Sequence, residues 1–493
     1  MRASNTYVTK IPIMFRLFII ALPLLFSARL IAQQLVTYPA PDSARRAADF
    51  SVTVNGKEVF VYDNAVSAMA IFSFEGSVTV EITSTHDMRW VDIRPRSLAI
   101  PVSVTPTRLT FKISKPGQLS IERNGEHTRP LYIFAAPLEK DVPKPTDPNV
   151  RYFAPGKIHD VGTLTLKSNE TVYIAGGAIV RGNIEATDAR NLSIRGRGIL
   201  DASQLSKGRL VRLWRCRKVD IEGITIVDSP GWTLVLLDCD EVTIRNHNQV
   251  CWRNGSDGID LVGTSQVRIR DCFLRNNDDN IVVKSFSIDP DTYYSQPGKG
   301  RDVTDILVER CVIWNMPWGN ALEIGFELRC KTVNNITFRD CDLIHVDRGA
   351  ALSIHNGDEA TVENIVYDNI RVEDAPHKLI DLAVFWSQYS TDRPATQDER
   401  TRQYMQGAWD GVLRVPPGQQ AARAASRGKI RNILFRNIAV TDGQFPYSIL
   451  YGYDAQHQVE NVRFEGLTIH GKPIKSAKEG HFSVENATGI SWK

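Results

Sequence analysis

Three aspartates in the stretch NGSDGIDLVGTSQVRIRDCFLRNNDDNIVVKS (residues 254–285) have the residue types and spacing for acid–base chemistry. Asp257 stands 21 residues before the adjacent pair Asp278 and Asp279, and the run between them alternates apolar and polar positions as a strand does. If the chain returns on itself after one such unit, the acids lie on neighbouring strands, about 4.8 Å apart. Carboxylates held that close repel when all are ionised, which raises at least one pKa and leaves a proton donor beside ionised partners. Cleavage of a glycosidic bond needs that pairing: one group protonates the leaving oxygen and another activates water. A Ca²⁺ site would use the same clustered oxygens, and two acidic turns would need no function at all. The residues by themselves leave these three readings open. Asp260, within the alternating run, is expected to point elsewhere.

The element that must position the acids is a repeat. Segments VDIEGI, VTIRNH, VRIRDC, ILVERC, ITFRDC, IVYDNI, ILFRNI and VRFEGL align on Ile221, Ile244, Ile269, Val308, Phe338, Tyr367, Phe435 and Phe464. Their spacing defines a basic unit of roughly 23 to 30 residues, interrupted by two long insertions. Units of that length, built from short β-rich runs and turns, predict a right-handed parallel β-helix. The position three after each anchor reads Ile224, His247, Cys272, Cys311, Cys341, Ile370, Ile438 and Leu467. Three of the seven cysteines thus belong to one apolar ladder, where free Cys behaves as a small hydrophobe. His247 in that ladder reads as a satisfied core or edge histidine. No Cys/His spacing of the zinc type occurs along the sequence, and no metal or cofactor is expected.

Insertions in a solenoid emerge as loops on one side. One covers 285–302, directly after the acid pair, and another runs from about 383 to 429 with Phe385, Trp386, Tyr389, Tyr404 and Trp409. Those aromatics could stack on sugar faces, Trp386 being the substrate-binding candidate, or could pack the loop onto the coil.

Ahead of the repeats, alternating runs such as FSVTVNG, SVTVEITS and RLTFKISKPGQLSIER predict a β-sandwich over 33–137. The Pro- and charge-rich segment 138–150 reads as a linker, and 151–493 as the β-helix, so the fold class is all-β. Arg2, Lys10 and Arg16 flank the apolar run LFIIALPLLFSA, too short to span a bilayer, so residues 1–32 read as a secretory signal and the mature protein as exported, periplasmic or extracellular. Lys and Arg total 59 against 56 Asp and Glu, a formal charge of +3, and no basic block marks a nucleic-acid partner. No second apolar stretch suggests a membrane, and the oligomeric state is not legible.

The acidic stretch resembles the catalytic core of the polygalacturonase family of glycoside hydrolases (family 28), whose motif is Asn-Thr-Asp-Gly followed about one rung later by Asp-Asp. Ser256 stands at the family's Thr. NLSIRGRGILDAS and DSPGWTLVL are similar to family segments preceding the site. VERCVIWNMPWGNALEIGFELRCKTVNNITFRDCDLIHV and YFAPGKIHDVGTLTLKSNETVYIAGGAIVRG resemble the related dextranase family (family 49), which also joins a β-sandwich to a β-helix. The resemblance implies an inverting O-glycosyl hydrolase with Asp279 as general acid and Asp257 with Asp278 activating water. The chain departs from polygalacturonases at two motifs. Asn320 of WGNALEIG stands where Gly-His-Gly has its His, and no Arg-x-Lys exists near RGAALSIHNG. Galacturonate is therefore not carried over as the substrate.

Asn320, Glu323, Lys284, Arg348 and His355 complete the candidate binding residues, with Glu327 weaker, and Asn280 reads as a turn-capping residue. The partner expected is a poly- or oligosaccharide. Competing readings are a β-helix polysaccharide lyase, weakened by the missing Arg-x-Lys, and a non-catalytic glycan-binding solenoid.

Overall fold

The computed structural model describes residues 1, 34–289, 295–296, 298–396, 398, 415–416 and 418–493. The signal segment, Tyr404 and Trp409 lie outside the described residues. Among the described residues no helix is long and apolar enough to cross a membrane.

Every anchor of the repeat falls in one register. Ile221, Ile244, Ile269, Val308, Phe338, Tyr367, Phe435 and Phe464 pair in succession on parallel strands, and the column extends to Ile194 before and Trp492 after. Like stacks on like because each turn of the coil presents the same position to the same place. At its C-terminal end the column is aromatic, with Phe338, Tyr367, Phe435, Phe464 and Trp492 stacked at centroid distances of 5.0, 4.9, 5.2 and 4.1 Å.

The bend after six of these eight strands rests on a single left-handed residue with a side chain: Asn246, Asp271, Arg310, Asp340, Asn369 and Asn437 all have φ between 49° and 56°, and Gly223 and Gly466 serve the other two. Asn and Asp tolerate that region best among residues with a side chain. One such residue turns the chain so that the next one points inward again, and Cys272, Cys311 and Cys341 therefore line the interior. All seven cysteines are free and buried. His247 is buried with them as a neutral imidazole, its Nδ1 on the Ile224 carbonyl at 3.0 Å and its Nε2 3.1 Å from Gln249 Nε2. Burial pushes its pKa down to about 4.

Ahead of the coil, two sheets enclose a separate core that includes Val52, Phe72, Phe74, Val80, Ile82 and Ile133. One sheet orders its strands Gln34–Thr37, Ser67–Glu75, Leu131–Pro137, Gly117–Arg123 and Val91–Arg94. The other orders Lys57–Val59, Phe50–Val54, Val78–Ser84, Arg108–Ile113 and Val102–Thr105. Pro137–Lys140 then runs along the first turns of the coil, where Arg197 and Arg195 donate to the Pro137 and Lys140 carbonyls at 3.1 and 2.6 Å.

The first sheet lies on the coil through an apolar face of Tyr62, Met69, Ile71, Tyr132 and Phe134 against Val250, Phe273, Trp314 and Ile344. The ring pairs Tyr132–Phe273 and Phe134–Phe273, at 4.8 and 5.2 Å, each contribute about 0.5 to 1.5 kcal/mol beyond area burial. Polar bonds fix the docking angle: Gln118 donates to the Asp271 carbonyl at 2.8 Å and Arg275 to the Val66 carbonyl at 3.0 Å.

Candidate active site

The site is carried by three successive parallel strands, β1 (Ile259–Val262), β2 (Ile281–Ser285) and β3 (Leu322–Leu328). Ile259 pairs with Ile281 and Ile281 with Leu322, so the residues just before each strand stack as well. Gly258 N–H donates to the Asp279 carbonyl at 2.7 Å, and Asn280 N–H to the Asn320 carbonyl at 3.0 Å. One rung earlier, Thr233 N–H donates to the Asp257 carbonyl at 3.0 Å. Trp232, Asp257, Asp279 and Asn320 consequently form one column.

Amide side chains fix the turns that carry this column. Asn315 donates to the carbonyls of Asp278, Trp318 and Asn320, and Asn276 donates to the Asp257 carbonyl. Asn280 donates to the Leu274 and Trp314 carbonyls from inside the coil, the capping task its position suggested. Gly319, at φ +63°, closes over the acid pair. A Cβ there would lie 2.4 Å from Asp278 Oδ1 and 2.3 Å from the Asp279 nitrogen, so no other residue fits.

Oxygen atoms of Asp257, Asp278 and Asp279 lie within 4.8 Å of one another. Two unit charges at that distance repel by about 3.5 kcal/mol at an effective dielectric of 20, so at least one carboxyl keeps its proton near neutrality. Burial, and then Asp260, Asp278 and Asp279, raise Asp257 well above the usual carboxylate range. Asp279 is pushed up to about 7 by burial, with Lys284 opposing and Asp278 and Glu323 adding to the rise. Asp278, half-buried, is raised less steeply, again mainly by burial. Asp279 Oδ1 accepts from Asn320 N–H at 2.8 Å, and its Oδ2 lies 3.4 Å from Lys284 Nζ. Lys284 also reaches Glu327 at 3.8 Å and lies 5.4 Å from the centroid of the Trp232 ring. The three acids open into a cavity of about 370 Å³ whose walls include Trp232, Trp318, Phe326 and Tyr389. Acid groups with split proton affinities, flanked by aromatic faces, suit protonation of an ether oxygen in a molecule presenting flat apolar surfaces.

Of the residues singled out in the sequence, Asp257, Asp278, Asp279, Lys284 and Asn320 line this cavity. Arg348 is exposed and its guanidinium stacks over Trp318 at 5.1 Å. Glu323 and His355 do not reach the cavity. Both are buried in an ion-pair chain in which His355 Nδ1 lies 3.0 Å from Glu323, His355 Nε2 lies 3.1 Å from Asp381, and Asp381 meets Lys378 at 2.8 Å. Burial alone would depress His355, but the two carboxylates hold its pKa at about 10. Trp386 is also buried, its Nε1 donating to the Asp392 carbonyl at 3.3 Å beneath Arg423, so its ring packs the loop and is closed to a sugar.

Sequence reasoning missed Trp232, Trp318 and Phe326, and ranked Glu327 below Glu323. Trp232 was accessible, since aligning LVLL with IDLV places it one rung before Asp257. Asp260 was expected to point away. It is wholly buried, held neutral up to about 8 chiefly by burial, and adds to the rise at Asp257.

Residues 161–398 match the family described as glycosyl hydrolases family 28. A probable rhamnogalacturonase B of Aspergillus fumigatus is 27% identical over 188 residues, 37% of this chain and 31% of that protein. A probable endopolygalacturonase D of Aspergillus flavus is 25% identical over 265 residues, 53% of this chain and 43% of that protein. The aligned region thus spans less than half the length of either relative. Dex49A from Penicillium minioluteum superposes with a TM-score of 0.65 at 16% identity, covering 93% of this chain and 96% of that one, a likeness of fold.

Proposed function

We propose, from the premise that the chain belongs to the polygalacturonase-like clan of glycoside hydrolases, that it hydrolyses O-glycosidic bonds of a poly- or oligosaccharide. The observation that carries the reading is the stacked triplet of Asp257, Asp278 and Asp279, with Asp279 protonated up to about pH 7 in the lining of an aromatic-walled cavity. Asp279 gives its proton to the glycosidic oxygen as the anomeric C–O bond breaks. Asp278, the least raised of the three carboxyls, takes a proton beside Asp257 from the water whose oxygen forms the new bond to that carbon, so acid and base end with their protonation states exchanged and one water is consumed. Trp232 and Trp318 offer ring faces to the sugar, and Lys284 sets the acidity of Asp279. Export, read from the first 32 residues, is part of the proposal.

The clan resemblance implies inversion of the anomeric carbon. Proton NMR of the first product formed decides, a newly released hemiacetal of opposite configuration supporting inversion and one of the same configuration supporting retention. Asp279→Asn is expected to lower reducing-sugar release at least about a thousandfold on every glycan the wild type cleaves, with the thermal midpoint unchanged. Activity retained within tenfold refutes the assignment.

A further inference from the structure

Where the sandwich docks on the coil, three side chains distant in sequence present donor atoms to one point. Glu122, at the end of strand Gly117–Arg123, is wholly buried, as is His345 on strand Asp342–Val346 of the coil. His127, on the turn that follows Glu122, is 42% exposed and opens the cluster to solvent. His345 Nε2 lies 3.2 Å from both Glu122 carboxylate oxygens, and His127 Nε2 lies 3.6 Å from Glu122 Oε2. The two imidazole centroids are 4.2 Å apart. One donor atom from each of the three falls within 4.8 Å of the others. A tetrahedral ion with bonds of 2.0 to 2.1 Å holds its ligand atoms about 3.3 Å apart, which is the spacing of Glu122 to both histidines.

A second, independent feature is the carboxylate behind His345. Asp374 Oδ2 lies 3.2 Å from His345 Nδ1, on the side opposite Glu122, so an ion that replaced the proton between Nε2 and Glu122 would leave Nδ1–H directed at Asp374. Carboxylate, imidazole and ion in that order is how ligating histidines are oriented and made more basic. Charge agrees. Glu122 and Glu373 face Arg94, at 2.9 and 2.6 Å, and Asp374 faces His345, so once an ion replaces the Nε2 proton of His345 these three carboxylates outnumber Arg94 by two. Arg94 occupies one lone pair of Glu122 Oε2 and Ser120 Oγ one of Oε1, and the remaining one on each oxygen faces His345 Nε2, where an ion would take the place of the shared proton.

We propose that Glu122, His127 and His345 form a divalent-cation site of zinc-like ligand preference that ties the sandwich to the β-helix, with Asp374 as its orienting residue. Two histidines and a carboxylate suit Zn²⁺ over Ca²⁺ or Mg²⁺, which select all-oxygen sets. An ion bound only by the docked arrangement stabilises that arrangement by mass action.

The test uses the full chain, stripped with chelator and titrated with zinc sulfate at neutral pH by calorimetry and thermal unfolding. One equivalent bound, a raised thermal midpoint and intense visible absorption when Co²⁺ replaces Zn²⁺ are expected. His127→Gln, a change at a partly exposed turn that spares the fold, should abolish the thermal shift and weaken binding at least about tenfold, and Asp374→Asn should weaken it about 10- to 100-fold. The proposal is overturned if no saturable binding occurs, or if His127→Gln binds zinc as the wild type does. Zinc that competes with glycan overturns it too, because the ion would then sit on Asp257, Asp278 and Asp279.

Discussion

Replacing Lys284 with Met should move the alkaline limb of activity upward. Lys284 Nζ is 3.4 Å from Asp279 Oδ2, and a unit charge pair at that distance attracts by about 5 kcal/mol at an effective dielectric of 20. Divided by 1.36 kcal/mol per pH unit this is an upper bound of about 3.5 units, and relaxation with water entry reduces opposite-charge effects to about 1 to 3 units. Asp279 works as an acid while protonated, so activity is present below its pKa of about 7 and is lost as pH rises through it. Removing the cation disfavours the ionised form and extends the active range to higher pH. The sign does not depend on which carboxyl of the coupled cluster titrates, because Lys284 lowers Asp257, Asp260, Asp278 and Asp279 alike. The assay is kcat/KM against pH from 4 to 10 on a glycan the wild type cleaves, with thermal unfolding at pH 6 confirming that the variant folds. A limb that stays in place or moves down refutes the reasoning and makes Lys284 a substrate contact, whose loss would appear in KM instead.

Gly319→Ala should lower kcat about 100-fold or more without unfolding the chain, because its methyl group enters the space of Asp278 Oδ1 and the Asp279 nitrogen and displaces the acid pair; kinetics beside circular dichroism check it. Tyr367→Ala, which removes a wholly buried ring stacked between Phe338 and Phe435, should destabilise the chain by about 3 to 5 kcal/mol, read as a lower denaturant midpoint at unchanged slope.

The coil was legible because its register is written in the repeat. Once VRIRDC is aligned with ILVERC and ITFRDC, every neighbour in the column follows, and the stacking of Asp257 with Asp279 follows from the same count. What escaped depends on contacts the repeat does not encode. Glu323 lies in WGNALEIG and His355 in RGAALSIHNG, the two stretches where the chain departs from the polygalacturonase motifs, and both were candidates for the groove. The rings of Phe326 and Phe385 lie against His355 at 4.8 and 5.7 Å and close that stretch from solvent. For Trp386, stacking on a sugar and packing the loop were both open, and Asp392 with Arg423 closes over the ring in favour of packing. The cluster of Glu122, His127 and His345 has no local spacing to find, since its members come from two parts of the chain that share no period.

A parallel coil stacks identical positions, and that rule rewards some residue types and penalises others. Cys above Cys, Phe above Tyr and Asn beside Asn all gain from it. Asp above Asp loses, at about 3.5 kcal/mol for a fully ionised pair 4.8 Å apart. The column of Trp232, Asp257, Asp279 and Asn320 is therefore where the stacking rule and the residue types disagree. The surroundings offset the cost without removing it. Lys284 neutralises part of the charge, Asn320 donates to Asp279 from the rung above, and burial keeps a proton on the cluster. A purely structural turn at this place would be more stable with Asn in all three positions, as the neighbouring Asn276, Asn280 and Asn315, which donate to backbone carbonyls around these turns, illustrate. Carboxylates kept against that preference, in the lining of an aromatic-walled cavity, mark chemistry performed there.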